Sequence, residues 1–171
     1  MRGHAVPVVI YDIPVRTGRK IGSELLLRLA REVPNIVGLK DAAGDPGATA
    51  RIIAEAPEGF EVFSGDDALT LPLLAVGAVG VIGVATHWCA PQMVEMVRAV
   101  ARGDLAEARR LNARMAESFE FETGDAAPNP VPTKAMLRSL GRPAGPCRPP
   151  MGFGPDDLEQ RARDVYARLH A

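Results

Sequence analysis

Along the first two-thirds of the chain, short, continuously apolar, β-branched runs alternate with longer stretches whose apolar residues recur every three or four positions. Runs of the first kind suit strands buried on both faces. Stretches of the second kind suit helices with one face against a sheet, so the pattern predicts β/α units around a parallel sheet. Four strands are expected, in "PVVIYDI" (7–13), "NIVGLKD" (35–41), "FEVFSGD" (60–66) and "GVIGVAT" (80–86). Between them, a helix over about 22–33 opens near Ser23 and carries Leu26, Leu29, Ala30 and Val33 on one face. The next, over about 47–56, has Asp45 placed to cap it and Pro46 suited to its first turn, and a short one at 69–76 follows.

From Pro91 onward the strand pattern stops and helices alone are expected: 91–103, closing on Gly103; 104–122, opened by Asp104; 131–141; and 154–170. In 104–122, Leu105, Ala108, Leu111, Met115, Ala116 and Phe119 form a stripe that suits a core or a subunit contact equally. The proline-rich segment 142–153, "RPAGPCRPPMGF", is short and bears Met151 and Phe153, so an extended, ordered connection is expected. The chain therefore divides into a β/α region over 1–90 and a helical region over 91–171.

Composition narrows the function. Apolar residues make up 47% and charged residues 24% of the 171, and the net charge of −1 offers no field to draw nucleic acid or an anionic membrane. No apolar segment reaches the roughly 18 residues a membrane span needs, and the N-terminal apolar run is interrupted by Asp12 and Arg16 too early for a signal peptide. Cys89 and Cys147 are too few for a disulfide framework and read as reduced thiols, which with the rest implies a cytoplasmic protein.

In parallel β/α folds, ligands bind at the carboxyl ends of the strands. The expected ends carry Tyr11 with Asp12, Lys40 with Asp41, Ser64 with Gly65 and Asp66, and Thr86 with His87. No G-x-G-x-x-G follows the first strand and no Walker phosphate loop is present, which argues against nucleotide binding. No metal site is expected, because Asp41, Asp45, Asp66 and Asp67 sit where following helices favour negative charge. Lys40 stands out, since the chain uses 17 arginines and only three lysines, and an ammonium, unlike a guanidinium, becomes a nucleophile once desolvated. A lysine on one strand end and a tyrosine on another suit imine chemistry on a carbonyl, with the phenol moving protons. A strand-end lysine reaching water and a packed phenol are the plain alternatives.

Four segments, in order and at compatible spacing, resemble the dihydrodipicolinate synthase family within the N-acetylneuraminate lyase-like class I aldolases. "YDIPVRTG" (11–18) is similar to the family's tyrosine signature, and "IVGLKDAAGD" (36–45) to its Schiff-base lysine segment. "SGDDALTLPLLAVGAVGVIGV" (64–84) resembles its glycine-rich stretch, and "PNPVPTKAML" (128–137) its C-terminal element. The resemblance implies that Lys40 forms an imine with pyruvate and that Tyr11 relays protons. By the same resemblance, Arg16 binds the carboxylate of L-aspartate 4-semialdehyde, while Ile82 and Gly65 line the pyruvate site, Ile82 as a buried residue that keeps it dry. No cofactor is implied. The family's fold is a (β/α)8 TIM barrel, with C-terminal helices that pack on it and help build a homotetramer.

The chain departs from the family in its number of units. A barrel of this kind takes about 250 residues, whereas four strand-helix units are read here, resembling the second half of the barrel, and the family's G-T-T-G-E loop has no counterpart. A half barrel leaves two strand edges and one sheet face uncovered. A truncated reading frame, a partner chain supplying the other half, or a self-pairing half barrel would each account for it. The implied activity is then that of a synthase, of another pyruvate-dependent aldolase, or of a non-catalytic fragment.

Overall fold

In a computed structural model, which describes residues 6–124 and 127–171, the chain forms two compact units, Met1–Gly83 and Val84–Ala171. The four apolar runs of the first unit become strands β1 (Val8–Asp12), β2 (Ile36–Asp41), β3 (Glu61–Ser64) and β4 (Gly80–Val81). They pair in parallel in the order β1-β2-β3-β4. Each is connected to the next through helix, as parallel pairing requires: α1 (Pro14–Thr17) and α2 (Ser23–Glu32), then α3 (Pro46–Glu55), then α4 (Thr70–Ala75).

The core lies between one face of this sheet and its helices. Leu39 and Val62 from the strands meet Leu26, Ile52 and Leu73 from the helices, all almost fully buried. On α2 the buried set is Leu26, Leu27 and Ala30, with Leu29 and Val33 only half-buried. On α3 the capping expectation holds, since the Asp45 carboxylate accepts the Ala48 amide at 3.0 Å and Pro46 occupies the first turn. Asp66 closes the turn before α4 in a similar way, accepting the amides of Ala68 and Leu69.

Several expectations for strands and helices shift. The fourth strand ends at Val81 rather than at residue 86, and Thr86 and His87 open α5 (Thr86–Ala101) instead of standing at a strand end. The Val84 and Ala85 carbonyls already accept helical-type bonds from His87, Trp88 and Cys89. That helix starts before Pro91, not at it; its non-helical residue is Cys89 (φ −112°, ψ 20°), where the missing Pro91 amide and the crowding of its ring interrupt the ladder. The single turn α1 was not expected at all. It is closed by Gly18 in the left-handed region (φ 71°), whose amide reaches Pro14 O at 2.8 Å.

Among the described residues, the regular structure of the second unit is helical: α5, α6 (Leu105–Glu122), α7 (Val131–Ser139) and α8 (Leu158–His170). Asp104 caps α6 by accepting the Glu107 amide at 3.0 Å. Of its apolar stripe, Ala108, Leu111, Met115 and Phe119 are buried, whereas Leu105 and Ala116 are exposed. The start of α8 falls at Leu158 rather than 154, because Asp156 and Asp157 form a turn across which the Pro155 carbonyl accepts the Leu158 amide. The 142–153 segment is without helix or strand as expected, but Phe153 does not anchor it, being 93% exposed. Lys134 does, donating from Nζ to Pro146 O at 2.9 Å. Among the described residues, no helix is long and apolar enough to cross a membrane.

Candidate active site

The site follows from strand register. Tyr11 pairs with Lys40, Lys40 with Phe63, and Phe63 with Gly80, so these four stand side by side across the sheet. One position further on, Asp12, Asp41, Ser64 and Val81 form the next row. Because side chains alternate between faces along a strand, the two rows point oppositely. Asp12, Asp41 and Ser64 turn to the helix side and are buried. Tyr11 and Lys40 turn to the other face.

Lys40 Nζ lies 4.0 Å from the centroid of the Tyr11 ring, over its face. Burial pushes the Lys40 ammonium below the ordinary lysine value, opposed by the negative charge of Asp67, itself buried. The phenol of Tyr11 is pushed up, chiefly by burial, with Arg16 acting the other way and Asp66 and Asp67 adding to the rise. Arg16 sits exposed on α1, where its charge is felt by that phenol.

Gly65 lies against the lysine rather than in open space. A Cβ there would stand 2.9 Å from Lys40 Cγ, 3.0 Å from Lys40 Cε and 3.1 Å from Ala42 Cβ. The bare glycine therefore gives the lysine stem its channel. Gly83 does the same for Asp67, since a Cβ at Gly83 would run into that carboxylate.

Ile82 is the residue whose environment differs from expectation. It lies just past β4, its amide donating to Ser64 O at 2.9 Å, yet its side chain is 42% exposed rather than buried. Tyr11 is equally open at 42%, and Val9 on the same face is exposed too. The reason is common to all three. Among the described residues of its unit no helical layer covers this face of the sheet, so its apolar residues meet solvent.

Sequence reasoning placed Asp12 and Asp41 at strand ends but missed that they are buried carboxylates anchoring the loops that follow. Asp41 accepts the Thr49 hydroxyl at 2.6 Å and the Ala43 amide at 2.9 Å, tying β2 to the start of α3. Asp12 accepts the Ile21 amide through both oxygens, at 3.2 and 3.3 Å. The signal was present as a repeat: each candidate reactive residue, Tyr11 and Lys40, is followed at once by an aspartate. Among the described residues, no group of three or more His, Cys, Asp or Glu is gathered as a metal site.

A polar rim at the carboxyl ends of a parallel sheet, with helices on the opposite face, defines a β/α protein of the kind whose ligands sit at strand ends. A sequence model of the dihydrodipicolinate synthetase family matches residues 3–167. The chain belongs to that family. It is 44% identical over 162 residues to a 4-hydroxy-tetrahydrodipicolinate synthase of Symbiobacterium thermophilum, a match covering 95% of this chain and 54% of that protein. In structure it is similar to the dihydrodipicolinate synthase of Thermotoga maritima (TM-score 0.91, 28% identity, 98% of this chain and 57% of that one). It is also similar to that of Cyanidioschyzon merolae, solved with lysine bound (TM-score 0.90, 40% identity, 96% and 55%). The chain thus spans about half the length of the relatives it matches.

Proposed function

We propose that this chain carries the Schiff-base half of a 4-hydroxy-tetrahydrodipicolinate synthase, a lyase of lysine and diaminopimelate biosynthesis, with Lys40 as the imine-forming residue. The observation that carries the reading is the pairing of Lys40 with Tyr11 in adjacent parallel strands, with Nζ 4.0 Å from the ring centroid and the amine held below its ordinary pKa by burial. Neutral Lys40 adds to the ketone carbon of pyruvate, and loss of water gives a protonated imine. That imine is an electron sink, so a methyl proton leaves and an enamine forms. The enamine carbon attacks the aldehyde carbon of L-aspartate 4-semialdehyde, making the carbon–carbon bond while the aldehyde oxygen takes a proton. The amino group of that substrate then attacks the imine carbon and displaces Lys40, closing the ring and regenerating the amine. Tyr11 serves as the proton relay and Arg16 as the bidentate partner of the second carboxylate. Gly65 and Ile82 border the pyruvate.

In this reading the four strands are half of a (β/α)8 barrel. Residues 1–90 form the catalytic part, and the helices of 91–171 serve packing and homo-oligomer assembly. The exposure of Tyr11, Val9 and Ile82 on one face favours a site that becomes dry only when further strands cover it. The same exposure supports the second reading, a half barrel inactive without a partner that supplies those strands.

Borohydride reduction in the presence of pyruvate tests the assignment. The expected result is a stable mass increase on the peptide containing Lys40, absent from Lys40→Ala. Folded protein that gains an adduct at Lys20 or Lys134 but not at Lys40 contradicts it.

A further inference from the structure

Arg16 rides on a long loop. The chain leaves β1 at Asp12 and enters α2 at Ser23, with Arg16 on the isolated turn α1 between them. The near end of the loop is bonded to itself: Arg16 N donates to Ile13 O at 2.9 Å, Gly18 N to Pro14 O at 2.8 Å, and the Thr17 hydroxyl to Ile13 O and Arg19 O at 3.1 and 2.9 Å. None of these ties the loop back to the sheet.

The Ile21 side chain packs against the core, and two polar contacts bring the far end home. One is an ion pair, Lys20 Nζ to Asp45 at 2.8 Å, with side chains 38% and 52% exposed. Exposed pairs of that kind hold little. The other is buried: the Asp12 carboxylate, 2% exposed, shares the Ile21 amide between its two oxygens. Its own backbone is locked into the sheet, since Asp12 O accepts the Ala42 amide at 2.9 Å. A rigid anchor therefore grips a half-buried amide nine residues further along the chain.

We propose that Asp12 is a positioning residue whose buried carboxylate closes segment 13–20 onto the end of β1 and thereby fixes Arg16 at the strand-end rim. It acts through the loop and touches no substrate. Its bearing on the substrate carboxylate rests on the reading of Arg16 given above, but the latch itself can be measured without catalysis. An asparagine would keep an oxygen to accept the Ile21 amide; an alanine would leave that amide with nothing at this position.

The test is amide hydrogen exchange together with limited trypsin digestion on the 171-residue chain. In the unmutated chain, Ile21 is expected to exchange about as slowly as Ala42. In Asp12→Ala, exchange at Ile21 and cleavage after Arg16 should each rise roughly 10- to 100-fold, the factor expected for losing one hydrogen bond to a charged acceptor. Ala42, which bonds the Asp12 main chain, should stay protected, and Asp12→Asn should restore both readouts. Unchanged exchange and cleavage in Asp12→Ala, or an Asp12→Asn chain as open as the alanine one, overturns the proposal. So does an Ile21 amide that exchanges far faster than Ala42 in the folded, unmutated chain, an outcome that needs no variant to fold. Pyruvate trapping enters none of these readouts, so failure of the Lys40 assignment and failure of the latch are separate results.

Discussion

Replacing Gly65 with alanine should damage Lys40 chemistry far more than it damages the fold. The added methyl would lie 2.9 and 3.0 Å from two carbons of the Lys40 stem and 3.1 Å from Ala42 Cβ, against an ordinary carbon–carbon contact of about 3.5–4.0 Å. Gly65 is not among the positive-φ glycines, so alanine meets no backbone strain there. Loss of unfolded-state freedom favours alanine by about 0.4–1 kcal/mol, whereas overpacking costs about 1–3 kcal/mol. Two of the three clashing atoms belong to a flexible side chain, which puts the overpacking at the low end and the net destabilisation at about 1 kcal/mol, or roughly 3 °C in Tm for a chain of this size. The relief comes from Lys40 swinging aside, and a displacement of about 1 Å at a reacting group can cost about 100-fold. Gly65→Ala should therefore trap pyruvate under borohydride at least roughly tenfold more slowly than the parent chain, with nearly the same thermal midpoint. Equal trapping rates, or a Tm loss large enough to account for slower trapping by unfolding, would refute the reasoning that the glycine exists to seat the lysine.

Acylation of Lys40 by an amine-reactive reagent should reach half its limiting rate at a lower pH than acylation of a blocked lysine peptide, because burial disfavours its ammonium; peptide mapping is simple with only three lysines, and coincident profiles would contradict the burial argument. Asp12 is pushed above the ordinary carboxylate range, first by burial and then by Asp41, with the Ile21 amide and Lys20 opposing. Its proton is thus held more tightly in the folded state, so its contribution to stability is full below the unfolded pKa and is lost as pH rises through the folded one. Asp12→Asn should flatten that part of the urea-midpoint profile, and an unchanged pH slope would count against the assignment. Leu39 is fully buried between strand and helices, so Leu39→Ala should cost about 3 kcal/mol in chemical denaturation; a loss under about 1 kcal/mol would mean that the site collapses around the gap.

Much of this arrangement was legible in the chain. Continuous β-branched runs identified all four strands because a parallel sheet covered by helices selects for them, and Asp45 and Asp104 cap the helices they precede. The candidate reactive pair was legible as residue types at strand ends. Their contact was not, because register between parallel strands is set by packing around the whole sheet and leaves no local mark in either segment. Misreadings clustered where local patterns conflict. "GVIGVATHW" reads as a strand through Thr86, but its glycines allow the chain to turn after Val81, with Gly83 packed against Asp67. Burial of Ile82 was implied by the resemblance, which gave its side chain the part of keeping the pyruvate site dry; its exposure reflects which face of the sheet it borders, which no residue type encodes.

The alternation of the strands divides labour at their carboxyl ends. Tyr11 and Lys40 point to the open face while their immediate successors, Asp12 and Asp41, point into the helix layer and hold the loops that follow. A one-residue slip in pairing would send the phenol and the amine into the core and the carboxylates to the open face. The helix side therefore favours the geometry of the other: Leu39 and Val62 are buried against Leu26, Ile52 and Leu73 in the same register that sets Lys40 beside Tyr11. On this argument the side-by-side placement of the pair is a consequence of core packing rather than of any attraction between them. A Tyr11→Phe chain should keep the same register, the same burial of Asp12 and the same protected Ile21 amide, whatever it loses in proton transfer.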